Sequence, residues 1–278
     1  MSALLEVEDL TVTFRTAQGP VDVVDGLSFT LERGASLGIV GESGSGKSMT
    51  SLAVMGLLPP TASLRGRVAL EDTDLTSLSE SKVRHLRGDR MSMIFQDPLS
   101  SLNPYYSVGQ QIEEAYRAHR AGVTRRQARK VAVEAMERVH IADAARRVDH
   151  YPHQFSGGMR QRVMIAMALS TEPDLLIADE PTTALDVTVQ AQILDLLQEV
   201  RRETGTALIL ISHDLAVVSE IAEDVVVMRH GVSVEQASAE RLFSDPQHPY
   251  TRALLDAVPR IDDEIGELRS IDVVGGNA

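Results

Sequence analysis

The sequence predicts an α/β fold in which short buried strands deliver polar residues to one edge of a sheet. Three apolar runs carry this prediction; they span residues 37–40, 175–178 and 207–211, and polar residues or a glycine-rich loop follow each of them directly. Continuous apolar runs of this length are typical of parallel strands that are covered on both faces. Since open α/β sheets bind ligands at the carboxyl ends of such strands, we expect the functional residues just after these runs.

The residues after the first run form a complete G-x-x-x-x-G-K-S loop, the phosphate-binding pattern. Its glycines let the backbone curl around phosphate oxygens, and the helix predicted over Met49–Leu58 adds its positive end. An ordinary Gly/Ser turn is the alternative, which the strand-loop-helix context disfavours. We expect Lys47 to reach the β- and γ-phosphates and Ser48 to ligate Mg²⁺. The predicted nucleotide-binding residues here are Gly41, Glu42, Ser43, Gly44, Ser45, Gly46, Lys47, Ser48 and Met49.

Length and composition narrow the classes of protein to which this chain can belong. A chain of 278 residues predicts one large domain, or one with an inserted or appended subdomain. There is neither an apolar run of about 18 residues nor a signal-peptide pattern at the start, so we expect a cytoplasmic protein. The absence of cysteine excludes disulfides, thiolate zinc sites and cysteine-ligated clusters. A net charge of −13 argues against a protein whose main role is to bind nucleic acid or anionic lipid. Any membrane association is therefore expected to occur through protein partners.

The amino-terminal part is predicted to be rich in strands. Leu10–Phe14 and Val21–Leu31 alternate apolar and polar residues, which indicates antiparallel strands. Phe14, at the predicted end of the first strand, is placed either to stack on an adenine ring or to pack in the core. A further strand over Met91–Phe95 is predicted to end on Gln96.

The middle of the chain is predicted to be helical. From Val108 to about Arg147 the period is that of helices, which indicates a helical subdomain inserted between two core strands. A cluster of basic residues at 125–130 is interpreted as a solvated helix face. After it, Ser156-Gly157-Gly158 opens a helix that is predicted to run to Ser170. Such a glycine-rich helix start either binds an anion or is simply flexible.

Titratable residues follow the second and third apolar runs in the sequence. Asp179 and Glu180 follow the second run, where one carboxylate can hold Mg²⁺ and the next can orient or deprotonate water. A solvated acidic turn is the alternative. His213 follows the third run, and its position level with Gly41 and Asp179 favours a functional role over a structural one. A helix over Val187–Glu203, stopped by Gly205, is predicted to separate the two strands.

These motifs occur in one order along the chain, and in this the chain resembles the ATP-binding subunits of ABC transporters over residues 4–258. The S-G-G-x-x-Q element at 156–161 makes the resemblance specific, since generic phosphate-loop ATPases lack it. The resemblance implies an ATPase with a phosphate-loop NTPase core, an antiparallel β subdomain and an α-helical subdomain inserted at about residues 97–160.

The resemblance also implies a role for each matching residue. Glu180 would be the catalytic base, and Lys47, Gln96 and His213 would contact or sense the γ-phosphate. Magnesium would be held by Ser48, Gln96 and Asp179. The residues that would cap ATP bound to the opposite subunit are Ser156, Gly157, Gly158 and Gln161, and Ala184-Leu185-Asp186 would cross the dimer interface. Phe155 stands where many members have leucine.

Flanking motifs narrow the resemblance to the oligopeptide, dipeptide and nickel permease branch; they lie at residues 93–98, 101–104, 151–155 and 245–251. Residues 240–278 would be the carboxyl-terminal extension of this branch. The implied partners are a second ABC ATPase subunit, in a heterodimer or alternatively a homodimer, two integral membrane permease subunits, and indirectly an extracytoplasmic solute-binding protein. The implied cofactors are ATP and Mg²⁺, and the implied location is peripheral, at the cytoplasmic face of the membrane.

Three alternatives stay open at this point. The cargo is expected to be di- or oligopeptides, with nickel or another small solute as the alternative. A soluble ABC ATPase acting on nucleic acid or ribosomes is disfavoured by the acidic balance and by the single nucleotide-binding cassette. A catalytically silent regulatory subunit is disfavoured because Glu180 and His213 are both present.

Overall fold

The computed structural model describes residues 3–97, 101–183 and 185–256. Pro98 in the 93–98 motif, Ala184 in the predicted interface loop, and residues 257–278 of the predicted extension lie outside these ranges. The strands of the described part are β1 (Ala3–Thr16), β2 (Gly19–Glu32), β3 (Ser36–Val40), β4 (Ala62–Leu70), β5 (Thr73–Asp74), β6 (Met91–Ile94), β7 (Leu175–Asp179), β8 (Ala207–Ser212), β9 (Asp224–Arg229) and β10 (Val232–Ser238).

The helices surround two sheets. They are α1 (Lys47–Val54), α2 (Glu80–Leu86), α3 (Val108–His119), α4 (Arg125–Arg138), α5 (Ala144–Arg147), α6 (Gly157–Leu169), α7 (Val187–Thr204), α8 (Leu215–Ile221), α9 (Ala239–Ser244) and α10 (Pro249–Asp256), with short 3₁₀ turns at Leu75–Ser77 and Pro152–Gln154. Within the described ranges, no helix is long and apolar enough to cross a lipid bilayer.

The central sheet has six strands in the order β10-β9-β3-β8-β7-β6, and all except β10 run parallel. Its register brings the carboxyl ends of the predicted strands level: Val40 pairs with Ser212, and Asp179 pairs with Ile211. The loop after β3, the residues after β7 and those after β8 therefore emerge at one edge, as the sequence predicts.

A second, antiparallel sheet has the order β2-β1-β4-β5 and covers one face of the central sheet. Side chains alternate along each central strand. On β7, Leu175 and Ile177 pack toward the antiparallel sheet, whereas Leu176 and Ala178 pack toward the helices. Because both faces are covered, the central strands are continuous apolar runs rather than alternating ones.

Several predicted boundaries are wrong by a few residues. The helix after the loop runs over Lys47–Val54 rather than Met49–Leu58, because Gly56 adopts a φ of 64° that ends the helical path. Strand β1 continues to Thr16, so Phe14 lies within the strand. The predicted stop of α7 at Gly205 is confirmed: the helix ends at Thr204, one residue past the predicted Glu203, and Gly205 has a φ of 68°.

Four charged residues join the two sheets. Arg33 and Glu71 belong to turns of the antiparallel sheet, whereas Arg90 and Asp174 precede β6 and β7. Arg33 Nη1 donates to Asp174 Oδ1 at 2.9 Å, Arg90 Nη2 donates to Glu71 Oε2 at 2.8 Å, and the remaining pairs Arg33–Glu71 and Arg90–Asp174 are also bonded. Each charge thus has two partners of opposite sign, which fixes one sheet against the other.

This cluster predicts a pH-dependent contribution to stability. Burial alone raises the pKa of Asp174, but the hydrogen bonds from Arg90 and Arg33 outweigh it, so the pKa lies below its ordinary 3.8. Because the folded-state pKa is below the unfolded one, the stabilisation is present above the unfolded value and is lost as pH falls through the folded value. We expect Asp174→Asn to lower the free energy of unfolding by about 1 kcal/mol near neutral pH, measured by urea denaturation.

The control is Asp195→Asn, which alters an exposed carboxylate on α7. The difference between wild type and Asp174→Asn should shrink as pH is lowered. A difference that persists unchanged to the lowest pH at which both proteins remain folded would show that the ion pairs are not its source.

Candidate functional site

The candidate site lies at the carboxyl edge of the central sheet, and the loop after β3 forms its floor. Helix α1 begins at Lys47, so its free N–H groups point into the loop. Ser43 and Gly44 are exposed at the tip, whereas Met49 is half-buried on the helix, against the core.

Close backbone approach explains the glycines at both ends of the loop. A Cβ on Gly41 would lie 2.1 Å from the carbonyl oxygen of Met228 in β9, and a Cβ on Gly46 would lie 2.5 Å from that of Val23 in β2. Both contacts are with backbone and cannot be relieved by a rotamer change. Gly46 also has a φ of 102°. Strands β2 and β9 therefore hold the loop in its curled conformation.

Lys47 bends back over the loop. Its Nζ donates to the carbonyl oxygens of Gly41 at 2.7 Å and Glu42 at 2.8 Å, and only 5% of the residue is exposed. Burial lowers the pKa of Lys47, against the attraction of Glu180, Asp179 and Glu42. A buried ammonium whose direct acceptors are neutral carbonyls is poorly compensated, so an anion in the loop would be stabilised there.

Ser48 and Asp179 form the second part of the site. Ser48 Oγ donates to Asp179 Oδ1 at 3.1 Å. Burial raises the pKa of Asp179, and neighbouring Glu180 raises it further, against the Ser48 hydrogen bond and Lys47. A cation would relieve both effects. The 3.1 Å separation is also close to the roughly 3 Å between adjacent oxygens around a Mg²⁺ ion with bonds near 2.1 Å.

Within the described ranges there is no cluster of three or more His, Asp or Glu side chains that could hold a metal ion. Mg²⁺ is commonly bound by one or two protein groups together with substrate phosphates. Ser48 and Asp179, whose oxygens lie 3.1 Å apart, are two of the residues predicted to hold it.

The Glu180 carboxylate has three polar neighbours at this edge. Glu180 has a positive φ of 48°, uncommon for a residue with a side chain, and its N–H donates to Ile211 O at 2.9 Å. Gln96 Nε2 donates to Glu180 Oε2 at 2.7 Å, and Thr183 Oγ1 donates to the same oxygen at 2.9 Å. His213 Nδ1 lies 3.4 Å from the other carboxylate oxygen. These contacts give the carboxylate a fixed direction.

The structure thus brings together Lys47, Ser48, Gln96, Asp179, Glu180 and His213. Exposure differs within the group: the His213 side chain is 59% exposed, whereas that of Glu180 is 15% exposed. Gln96 is bonded to Glu180, which places it beside the predicted base; its predicted role as a magnesium ligand stays a prediction.

The signature segment, residues 156–161, has other neighbours. Ser156 Oγ caps α6 by accepting from Met159 N at 3.3 Å. A Cβ on Gly158 would lie 2.5 Å from Val189 Cγ1, and one on Gly157 would lie 3.9 Å from Leu185 Cδ2. The segment is therefore packed against the start of α7 rather than against the phosphate loop of its own chain.

Within that segment Ser156 and Gly157 are exposed, and Gln161 is 2% exposed with an Nε2 that has no partner among the described residues. An exposed helix start and glycines suit contact with a second molecule. Phe14 is half-buried against the apolar cluster of the antiparallel sheet, and its predicted adenine stacking stays a prediction.

Two residues in contact with the site were not predicted as part of it. Thr183 bonds Glu180, and Tyr250 in α10 receives a hydrogen bond from Glu42 N at 3.1 Å. The Thr-Thr pair after Glu180 and the tyrosine in the 245–251 motif are visible in the sequence. Their contacts are not, because they depend on how a turn and a distant helix pack.

Comparison with known families places the chain among nucleotide-driven transport proteins. The model of the family described as "ABC transporter" matches residues 24–183. A second model, described as "Oligopeptide/dipeptide transporter, C-terminal region", matches residues 234–274.

Curated relatives are similar over nearly the whole chain. The oligopeptide transport ATP-binding protein OppD of Salmonella typhimurium is 51% identical over 270 residues, which is 97% of this chain and 80% of that protein. The dipeptide transport ATP-binding protein DppD of Bacillus subtilis is 50% identical over 274 residues, which is 98% of this chain and 82% of that protein.

Solved structures are similar in fold. A dimeric ATP-binding cassette in a post-hydrolysis state, bound to ADP and Pi, has a TM-score of 0.76 at 26% identity and covers 84% of this chain and 98% of its own. CbiO1 from Clostridium perfringens, part of the ABC transporter complex cbiONQ, has a TM-score of 0.74 at 29% identity, with 88% and 92% covered. The α/β prediction with its two additional subdomains is confirmed at the level of fold.

Proposed function

This chain belongs to the ABC transporter family, and we propose that it is the ATP-hydrolysing subunit that powers import of di- and oligopeptides. The ATPase assignment rests on the geometry of Glu180, whose carboxylate accepts hydrogen bonds from Gln96 and Thr183. This carboxylate lies at the same sheet edge as Lys47 of the phosphate loop. The observation that carries the cargo is the match of residues 234–274 to the oligopeptide/dipeptide transporter region, together with relatives that are named for peptide transport.

We infer that Lys47 exchanges its acceptors when ATP binds. Its Nζ leaves the carbonyl oxygens of Gly41 and Glu42 and donates to the β- and γ-phosphates, which offer full negative charge in a buried setting. The loop N–H groups and the start of α1 bind the remaining phosphate oxygens. Mg²⁺, bound with the nucleotide at Ser48 and Asp179, would neutralise charge on the phosphates.

Glu180 supplies the proton acceptor. Its carboxylate orients a water for in-line attack on the γ-phosphorus. As the new P–O bond forms, the bond from the γ-phosphorus to the β–γ bridging oxygen breaks, ADP leaves, and Glu180 takes up a proton from the water. Gln96 and Thr183 keep the carboxylate pointed in one direction. His213, whose Nδ1 lies 3.4 Å from Glu180, would contact the γ-phosphate from the neighbouring strand. The protein's contribution to the reaction is therefore positioning and charge stabilisation.

A complete site needs a second ATPase subunit. Gly158 packs against Val189 of α7, whereas Ser156 and Gly157 are exposed, which supports contact with a molecule outside this chain. In our proposal they cap ATP held by the phosphate loop of a partner cassette, and the partner caps the loop of this chain. Such cassettes are dimeric in the solved structure that resembles this one. The partner is a second, related ATPase subunit, and a homodimer is the alternative.

The remaining partners are two integral membrane permease subunits, with an extracytoplasmic solute-binding protein acting through them. This arrangement would hold the chain peripherally at the cytoplasmic face of the membrane. Closing and reopening of the ATPase dimer would drive the permease between its states.

The test is uptake of a labelled short peptide and of nickel, side by side, in cells whose only copy of this chain carries Glu180→Gln. We expect peptide uptake to be lost and nickel uptake to be unchanged. The matched control is Glu203→Gln, an exposed residue of α7, which should support uptake like wild type. Loss of nickel uptake alone would replace the proposed cargo with a metal, and normal uptake of both would remove this class of cargo.

A further inference from the structure

The carboxyl-terminal helix α10 reaches the phosphate loop through one side chain. Tyr250 is only 5% exposed, and its hydroxyl oxygen accepts a hydrogen bond from the backbone N–H of Glu42 at 3.1 Å. The two residues are 208 positions apart in the sequence. No part of the ATPase chemistry described above uses this contact.

The segment that carries Tyr250 is firmly attached to the edge strand β10. The Glu235 carboxylate accepts from the backbone N–H of Gln247 at 2.7 Å and of His248 at 3.0 Å. Thr251, next to Tyr250, is completely buried. The hydrogen bonds to Glu235 therefore fix the start of α10, and with it the position of Tyr250 beside the loop.

A cation lies over the ring of Tyr250. The guanidinium of Arg229, at the end of β9, lies 4.8 Å from the centre of the Tyr250 ring, which is a cation–π distance. The turn after β9 contacts the loop directly, because Gly231 N–H donates to Ser45 O at 3.1 Å. The β9–β10 hairpin and Tyr250 thus hold two points of the loop, at Ser45 and at Glu42.

The position of the Glu42 backbone affects the hydrogen bonds that Lys47 makes within the loop. Its carbonyl oxygen accepts from Lys47 Nζ at 2.8 Å and from Ser45 N–H at 3.2 Å. Tyr250 binds the N–H of the same residue, so both polar backbone groups of Glu42 are fixed. A tilt of the peptide plane on either side of Glu42 would displace one of the two carbonyl oxygens that accept from Lys47.

We propose that Tyr250 is a positioning residue of the ATP site, which orders the Glu42 end of the phosphate loop so that less conformational freedom is lost when nucleotide binds. The expected effect of Tyr250 on ATP affinity rests on the proposed ATPase function, whereas its expected effect on the order of the loop does not. Burial raises the pKa of the Tyr250 phenol, so at neutral pH the hydroxyl is uncharged and suited to accept from an amide.

Tyr250→Phe tests the proposal because it removes the hydroxyl and keeps the ring over Arg229. In the nucleotide-free protein, we expect faster hydrogen exchange in the peptide that contains residues 41–48, measured by mass spectrometry. We expect ATP, measured by displacement of a fluorescent ATP analogue, to bind about 3- to 10-fold more weakly, the effect of one neutral hydrogen bond. The matched control is Tyr105→Phe, since Tyr105 is 85% exposed.

The outcomes separate the two proposals. If wild type does not bind ATP, the proposed function fails, and the exchange experiment still reports on the loop. If wild type binds ATP and Tyr250→Phe matches it in both exchange and affinity, the positioning role is overturned. Faster exchange throughout α10 with an unchanged loop would also overturn it, because the hydroxyl would then serve only the helix.

Discussion

Glu180→Gln is expected to lower the rate of ATP hydrolysis by about 10²- to 10⁴-fold while ATP binding is retained. Glutamine keeps the size of the side chain and can still contact Gln96 and Thr183, but it cannot take up the proton from the attacking water. Binding is retained because Lys47, Ser48 and the loop are untouched. The measurement is phosphate release and equilibrium ATP binding on the same preparation, with the partner subunit present.

Glu203→Gln serves as the control, because it makes the same chemical change at an exposed position of α7. It should hydrolyse ATP at the wild-type rate. Near-normal hydrolysis by Glu180→Gln would remove Glu180 from the role of base and leave its three polar neighbours without an explanation in catalysis.

Lys47→Ala is expected to act one step earlier, by weakening ATP binding about 10- to 100-fold. The variant removes a buried cation, and charge-assisted hydrogen bonds to phosphate are among the stronger ones. It also deletes the hydrogen bonds from Nζ to the carbonyl oxygens of Gly41 and Glu42. The measurement is the dissociation constant of ATP by equilibrium binding.

The control for this variant is Lys82→Ala, at an exposed position on α2. Its ATP affinity should equal that of wild type. An unchanged affinity in Lys47→Ala would count against the phosphate-loop assignment, even if hydrolysis were lost.

The arrangement of the site follows from the sequence because strand ends are easy to locate. Apolar runs that end on Val40, Ala178 and Ile211 identify central strands, and parallel register then brings Gly41, Asp179 and His213 to one edge. Strand ends and parallel register can be located without knowledge of side-chain conformation. The fold class was predictable for the same reason.

Contacts that depend on packing between distant elements were not predictable. Arg33 and Asp174 are separated by 141 positions, and Tyr250 and Glu42 by 208, so the sequence shows only isolated charges and a tyrosine near the carboxyl terminus. The conformation of Lys47 was hidden as well. Its acceptors are two carbonyl groups of its own loop, which a motif cannot reveal.

The ATP site is tested most sharply by a structure of Glu180→Gln with Mg²⁺ and ATP bound, in complex with the partner subunit. We predict that the phosphates lie in the loop formed by residues 41–48, that Lys47 Nζ has left the carbonyl oxygens of Gly41 and Glu42 to contact them, and that the metal lies beside Ser48 and Asp179. ATP bound elsewhere would remove the phosphate loop as the nucleotide site, and Lys47 still bonded to its own loop beneath a bound nucleotide would overturn its proposed role.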